Sequence, residues 1–152
     1  MIKFDLLINE ETWTEISDLE GCVERAFQAG HSVALKAGEV SLLLTDNAEM
    51  HELNKQFRSK DKPTDVLSFP ADPMDAPFLG DIAIGYGISS KDAAASGKYL
   101  ADHLSHLIIH GYLHTLGYDH QTDEEAEEME TMERRALASL GIADPYSKAQ
   151  IS

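Results

Sequence analysis

The chain has 152 residues, of which 43% are hydrophobic and 26% are charged, and its formal net charge is −15. This length and composition predict one globular domain, residues 1–152, and exclude a disordered, collagen-like or coiled-coil chain. The acidic balance argues against non-specific binding to nucleic acids or anionic membranes, because both attract positive charge.

The single cysteine, Cys22, excludes an internal disulfide and a zinc site built from several cysteines. We interpret it as a small apolar residue on a helix. Residues 1–8 lack the apolar region and the cleavage site of a signal peptide, and no stretch approaches the ~20 apolar residues of a membrane span. We therefore expect a cytoplasmic protein with no membrane partner.

Apolar periodicity and turn residues predict a mixture of strands and helices. The predicted strands are residues 2–8, 32–35, 40–45, 65–69 and 79–86. The predicted helices are residues 14–29, 46–57, 89–97, 99–116 and 123–140. Gly30 is expected to stop the first helix, Asp46 and Glu49 to cap the second, and Ser89 to cap the third.

The order of these elements indicates the fold class. Strands and helices mix without strict alternation, and a proline-rich loop occupies residues 70–77. We predict an α+β fold with a small mixed sheet of four or five strands packed by helices.

Histidines are concentrated in one stretch: five of the seven lie between residues 103 and 120. His110 and His114 are four residues apart on a predicted helix, so their rings share one face. Gly117 can adopt the left-handed conformation that ends a helix, which would return His120 as a third ligand. Three imidazoles with an open fourth position are typical of catalytic zinc. We predict one zinc ion at the end of a central helix, although nickel, copper and iron also bind imidazole.

Two neighbours of these histidines have open interpretations. His106, four residues before His110, either packs in the protein or supports a ligand. Asp119 either orients an imidazole through its second nitrogen or caps the turn after Gly117.

Charged residues cluster in two further places. Lys55, Arg58, Lys60 and Lys62 place four of the twelve basic residues within eight positions. The planar fork of Arg58 suits a phosphate group, and the lysines could hold a phosphodiester backbone; the alternative is a solvated loop. Residues 123–133 carry seven acids, which we interpret as a solvated helix face, with docking onto a basic protein or repulsion of misplaced RNA as the alternatives.

The histidine spacing also matches the metzincin protease pattern, except at Gly111. Those proteases carry a general-base glutamate at this position. Glycine cannot accept a proton, so the pattern disfavours peptide hydrolysis by that mechanism.

Residues 110–120, His-Gly-Tyr-Leu-His-Thr-Leu-Gly-Tyr-Asp-His, resemble the signature of the YbeY family of bacterial metal-dependent endoribonucleases. Residues 53–58 and 64–70 are similar to two further family segments, and residues 79–82 and 106–107 also fit. The resemblance implies an α+β fold and a zinc or similar divalent ion. The implied metal ligands are His110, His114 and His120, and the implied catalytic residues are Arg58 and His114.

The resemblance also implies a function. Members of this family cleave single-stranded RNA, mature the 3′ end of small-subunit ribosomal RNA and act in ribosome quality control. The implied partners are single-stranded and ribosomal RNA, small-subunit ribosomal proteins and a ribosome-assembly GTPase. We therefore predict a single metallohydrolase domain, residues 1–152, in which metal-bound water attacks the phosphodiester and Arg58 stabilises phosphoryl charge.

Two alternatives to this function stay open. One is a metzincin-like metalloprotease that lacks the usual glutamate base. The other is a non-catalytic ribosome-assembly factor in which the metal has a structural role.

Overall fold

A four-stranded mixed sheet organises the computed structural model, which describes residues 2–146. Its strands are β1 (Ile2–Ile8), β2 (Gly38–Thr45), β3 (Val66–Pro70) and β4 (Phe78–Gly85). Their spatial order is β1-β2-β4-β3; β1, β2 and β4 run parallel, and the edge strand β3 is antiparallel to β4. The predicted α+β class with a small mixed sheet is confirmed.

Helices cover the two faces of this sheet unequally. The α-helices of residues 2–146 are α1 (Leu19–Val33), α2 (Asn47–Arg58), α3 (Tyr86–Ala95), α4 (Leu100–Thr115) and α5 (Asp123–Ser139). Side chains alternate between faces along a strand, so Leu42 and Leu44 pack in the main core with α1, α4 and α5, whereas Leu43 faces α2. None of these helices is long and apolar enough to cross a bilayer.

Helix α4 lies at the centre of the main core. Leu104, Ile108, Ile109, Tyr112 and Leu113 of this helix are all fully buried. Close packing on several sides makes α4 a rigid support for the residues at its C-terminal end.

The first predicted helix, residues 14–29, is displaced in the structure. Residues Glu11–Glu15 instead form a 3₁₀ turn, in which the buried Trp13 donates from Nε1 to the carbonyl oxygen of Thr45 at 3.0 Å. Asp18, with a φ of 51°, then separates this turn from α1. This segment therefore forms the 3₁₀ turn that allows the indole hydrogen bond, and not the α-helix that its apolar spacing predicts.

The predicted strand at residues 32–35 is wrong, because α1 continues through Gly30 to Val33. Gly30 does not stop the helix; a Cβ atom at this position would lie 2.7 Å from Cδ2 of Tyr112. The glycine instead allows α1 to approach α4 closely.

The start of α3 also differs from the prediction. The helix begins at Tyr86, and Ser89 is buried inside it rather than capping it. The cap comes from another helix, since Oδ1 of Asn47 accepts from the backbone N–H of Ile88 at 3.0 Å. The other predicted helices agree with the structure to within a few residues, and Asp46 caps α2 by accepting from the N–H of Glu49.

Candidate metal centre

The three histidines singled out in the sequence lie together at the C-terminal end of α4. His110 and His114 occupy consecutive turns of the helix, and His120 lies in the loop that follows. One ring nitrogen from each of the three lies within 4.8 Å of the others. The Nε2 atoms of His110 and His114 are 3.2 Å apart.

This spacing suits a shared metal ion. Zinc–nitrogen bonds of about 2.0–2.1 Å in tetrahedral geometry place two ligand nitrogens about 3.3 Å apart. Three imidazoles form a donor set for zinc or a related transition metal and leave a fourth position for water or substrate. The residues present therefore fit the metal that the sequence pattern predicts.

A tight turn after α4 returns the chain to the site. Gly117 has a φ of +100°, its N–H donates to the carbonyl of His114, and the N–H of Tyr118 donates to the carbonyl of Leu113. These two bonds form a Schellman motif, in which a glycine takes the left-handed position. Oδ1 of Asp119 accepts from the N–H of His120 at 2.8 Å, which supports its interpretation as a residue of the turn.

Replacing Gly117 with alanine is expected to weaken both the fold and the metal site. The left-handed backbone costs a non-glycine residue about 1–2 kcal/mol, which lowers Tm by a few degrees in a chain of this size. Because the turn places His120, we also expect weaker zinc binding, measured by competition with a chelator. Gly97→Ala is the matched control: Gly97 has a φ of +67° and, like Gly117, nothing within 4 Å of its added Cβ. Equal loss of zinc affinity in both variants would contradict this role of the turn.

The surroundings of His114 favour its neutral form. Burial lowers the pKa of His114, and its electrostatic interaction with His110 and His120 lowers it further, while Asp119 and the backbone of Tyr118 act in the opposite direction. A lowered pKa favours the neutral imidazole, which is the metal-binding form.

A buried carboxylate touches the histidine cluster from α5. Glu133 is completely buried, and its Oε2 lies 2.9 Å from Nδ1 of His110. Burial raises the pKa of Glu133, but hydrogen bonds from His106 and His110 lower it more, to about 2. Glu133 is therefore charged at neutral pH, although it lies in the core.

Residues 123–133 were expected to form a solvated face, and this expectation is wrong at Glu133, which is buried. Glu133 lies on the same face of α5 as the buried Met129, Ala136 and Leu137, at helical spacings of three and four. Its spacing from these apolar residues was a signal in the sequence, and Glu133 is the one acid of residues 123–133 that the structure buries. A charged residue there requires a buried partner, and the histidines supply it.

Arg58 lies on a cleft that the three histidines also line. The cleft has a volume of about 630 Å³, and β3 and the loop after α4 complete its walls. The guanidinium of Arg58 donates from Nη2 to the carbonyl oxygen of Ser68 at 2.6 Å and lies over the ring of Phe69, 5.3 Å from its centroid. These contacts leave further N–H groups of the fork free to bind an anion.

The basic segment is hydrogen-bonded to α2, although its four basic side chains are exposed. The buried Asn54 donates to the carbonyl of Lys62 at 2.9 Å, and its own carbonyl accepts from the N–H of Lys60 at 3.2 Å. Lys60 lines the cleft with Arg58, whereas Lys55 and Lys62 lie outside its lining. The structure therefore brings two of the four predicted cations to the histidine cluster.

Gly111 faces the sheet, not the cleft. A Cβ atom on Gly111 would lie 2.9 Å from Cγ2 of Ile82 on β4. There is no room at this position for the glutamate that metzincin proteases carry. The close packing of α4 on β4 thus explains the glycine and argues against the protease alternative.

Comparison with known proteins gives one consistent result. The family model described as Endoribonuclease YbeY matches residues 7–141. The protein named Endoribonuclease YbeY from Chelativorans sp. (strain BNC1) is 48% identical over 151 residues, which cover 94% of this chain and 92% of that protein. The protein of the same name from Allorhizobium ampelinum is 41% identical over 162 residues, covering 97% of each.

A solved structure is similar over the same extent. The solution structure of TM1509 from Thermotoga maritima aligns with a TM-score of 0.59 and 25% sequence identity. The alignment covers 97% of this chain and 100% of that one.

Proposed function

Since the chain belongs to the YbeY endoribonuclease family, we propose that it is a metal-dependent enzyme that cleaves single-stranded RNA during maturation of the 3′ end of small-subunit ribosomal RNA. One observation carries this proposal: Arg58 lines the same cleft as three histidines whose ring nitrogens lie within 4.8 Å of one another. Phosphodiester cleavage needs groups that bind and polarise an anionic centre, and this cleft holds them side by side.

In this proposal His110, His114 and His120 hold one zinc ion. When bound, such an ion supplies Lewis acidity and lowers the pKa of a water molecule from 15.7 to about 7. The turn that carries His120 keeps its ring near those of His110 and His114, with one nitrogen of each within 4.8 Å of the others. His114 counts as catalytic because it holds the ion beside the reacting phosphate.

Arg58 has the second catalytic role. Its guanidinium is fixed by Ser68 and Phe69, so it presents a preset fork to the phosphoryl oxygens. Charge grows on those oxygens during attack, and a fixed cation stabilises it without reorganisation. Lys60 adds attraction for the neighbouring backbone at the rim of the cleft.

The proposal includes the setting of the reaction. We place the protein in the cytoplasm, as a single metallohydrolase domain that acts on ribosomal RNA with small-subunit ribosomal proteins and a ribosome-assembly GTPase as partners. The net charge of −15 disfavours long-range attraction to free RNA. Presentation of the RNA by the ribosomal subunit would offset that repulsion.

The substrate is tested with one labelled fragment from the 3′ region of small-subunit ribosomal RNA, offered alone and annealed to its complement. The zinc-loaded protein is expected to cleave the single strand at least about 10-fold faster, because a flexible strand can bend its phosphate into the cleft lined by Arg58 and the histidines more readily than a stiff duplex can. Equal cleavage of both forms would contradict the proposed single-strand preference. No cleavage of either form, with or without small ribosomal subunits, would favour the non-catalytic assembly factor.

A further inference from the structure

The carboxylate of Glu133 is surrounded by three hydrogen-bond donors, two from α4 and one from the segment after α5. Its Oε2 lies 2.9 Å from Nδ1 of His110, and its Oε1 lies 2.6 Å from Nε2 of His106. The hydroxyl of Tyr146 also donates to Oε1, at 2.5 Å. With 1% of its side chain exposed, Glu133 has no solvent to replace these partners.

The geometry indicates where the hydrogens of the two rings lie. Nδ1 of His110 and Nε2 of His106 each face a carboxylate oxygen at hydrogen-bond distance, and a carboxylate oxygen accepts, so each of these nitrogens is assigned a hydrogen. With a hydrogen on Nδ1, the neutral ring of His110 has its lone pair on Nε2. Nε2 is the atom that lies 3.2 Å from Nε2 of His114, on the metal side of the ring.

The segment after α5 closes the network. Arg134 contacts Asp144, with Nε and Oδ2 3.2 Å apart, and its guanidinium carbon lies 5.4 Å from the centroid of the Tyr146 ring. Oδ1 of Asp144 accepts from the N–H of Tyr146 at 2.8 Å. These contacts hold the tyrosine hydroxyl over Glu133, thirteen residues away along the chain.

We propose that Glu133 is a positioning residue of the metal centre, which locks His110 in the Nδ1–H form, and that Tyr146 holds the carboxylate in place for this task. The inference rests on the proposed function, because it assigns a role to groups behind a metal ligand. The negative charge also makes Nε2 of His110 a stronger ligand. Tyr146 thus supports the metal site through Glu133, although it is not one of the proposed ligands.

Glu133→Gln is the principal test, because it removes the charge and keeps the size of the side chain. We expect zinc affinity, measured by competition with a chromophoric chelator, to fall about 10- to 100-fold, as is usual when such a partner is lost. Tyr146→Phe should weaken zinc binding in the same direction but by less. Glu127→Gln is the matched control, since Glu127 is an exposed acid on the same helix and should leave the affinity unchanged.

A second readout separates positioning from simple packing. Long-range ¹H–¹⁵N NMR spectra of the metal-free protein report which nitrogen of each histidine carries a hydrogen. We expect a single Nδ1–H form of His110 in the wild type and a mixture of forms in Glu133→Gln. Because Tyr146→Phe keeps the ring and the charge on Glu133, its zinc affinity tests the proposal even where Glu133→Gln fails to fold.

The outcomes distinguish this inference from the proposed function. If Glu133→Gln and Tyr146→Phe bind zinc as tightly as the wild type, the positioning role of Glu133 is overturned, while the proposed metal centre stands. Loss of thermal stability in Glu133→Gln, with unchanged zinc affinity and an unchanged His110 form, would also overturn it. A wild type that binds no zinc would remove the metal centre and the inference with it.

Discussion

Replacing His114 with alanine is expected to lower cleavage of single-stranded RNA by at least about 100-fold and to release the metal. Removal of a residue behind a ligand already costs about 10- to 100-fold in metal affinity or activity, and loss of the ligand itself should cost more. His114 is central to the cluster, since its Nε2 lies 3.2 Å from that of His110 and its pKa is lowered by burial. Zinc content by atomic absorption and the cleavage rate should fall together.

His51→Ala is the matched control for this variant. His51 also lies on a helix, but it is paired with Asp61, with Nε2 and Oδ1 2.6 Å apart, and it lies outside the cleft. It should keep both zinc and activity. Equal cleavage by wild type and His114→Ala would indicate a contaminating ribonuclease, and would contradict the assignment of His114.

Replacing Arg58 with alanine is expected to have the second large effect. It should lower the cleavage rate by about 100- to 1,000-fold and leave the zinc content unchanged. This is the usual range for removing a preset donor that stabilises developing negative charge. The contacts of Arg58 with Ser68 and Phe69 are at the surface, so the fold should keep nearly all of its stability. Single-turnover rates and metal analysis on the same samples make the comparison.

Two further variants separate charge from geometry at this position. Arg58→Lys keeps the positive charge but loses the planar fork, so it should recover only a small part of the rate. Lys55→Ala removes a cation from the same helix outside the cleft lining and should have little effect on the rate. A rate for Arg58→Ala equal to that of wild type would remove Arg58 from the mechanism.

The histidine cluster was predictable from the sequence because its geometry is local. His110 and His114 are one helical turn apart, and Gly117 ends the helix in the left-handed conformation that glycine favours. Each of these features depends on the backbone of a short segment. The clustering of His120 follows from the same turn, so the sequence indicated the arrangement of all three histidines.

Features that depend on tertiary contacts were harder to predict from the sequence. The cleft that unites Arg58 with the histidines requires β3 to lie at the sheet edge, and the strand order could not be read from the chain. The 3₁₀ turn at Trp13 depends on a hydrogen bond to Thr45 at the end of β2. Glu133 was hidden among acidic neighbours, because only its place on the apolar face of α5 distinguishes it.

The measurement that tests the central claim most directly is a zinc titration of metal-stripped wild-type protein, with cleavage of the single-stranded ribosomal RNA fragment as the readout. A site made of His110, His114 and His120 predicts negligible cleavage without metal and a rise to a plateau at one equivalent of zinc. His114→Ala should stay flat over the same range. Full cleavage by the stripped wild type, or a rate that does not respond to zinc or to any other divalent transition metal, would contradict a metal-dependent endoribonuclease centred on these three histidines.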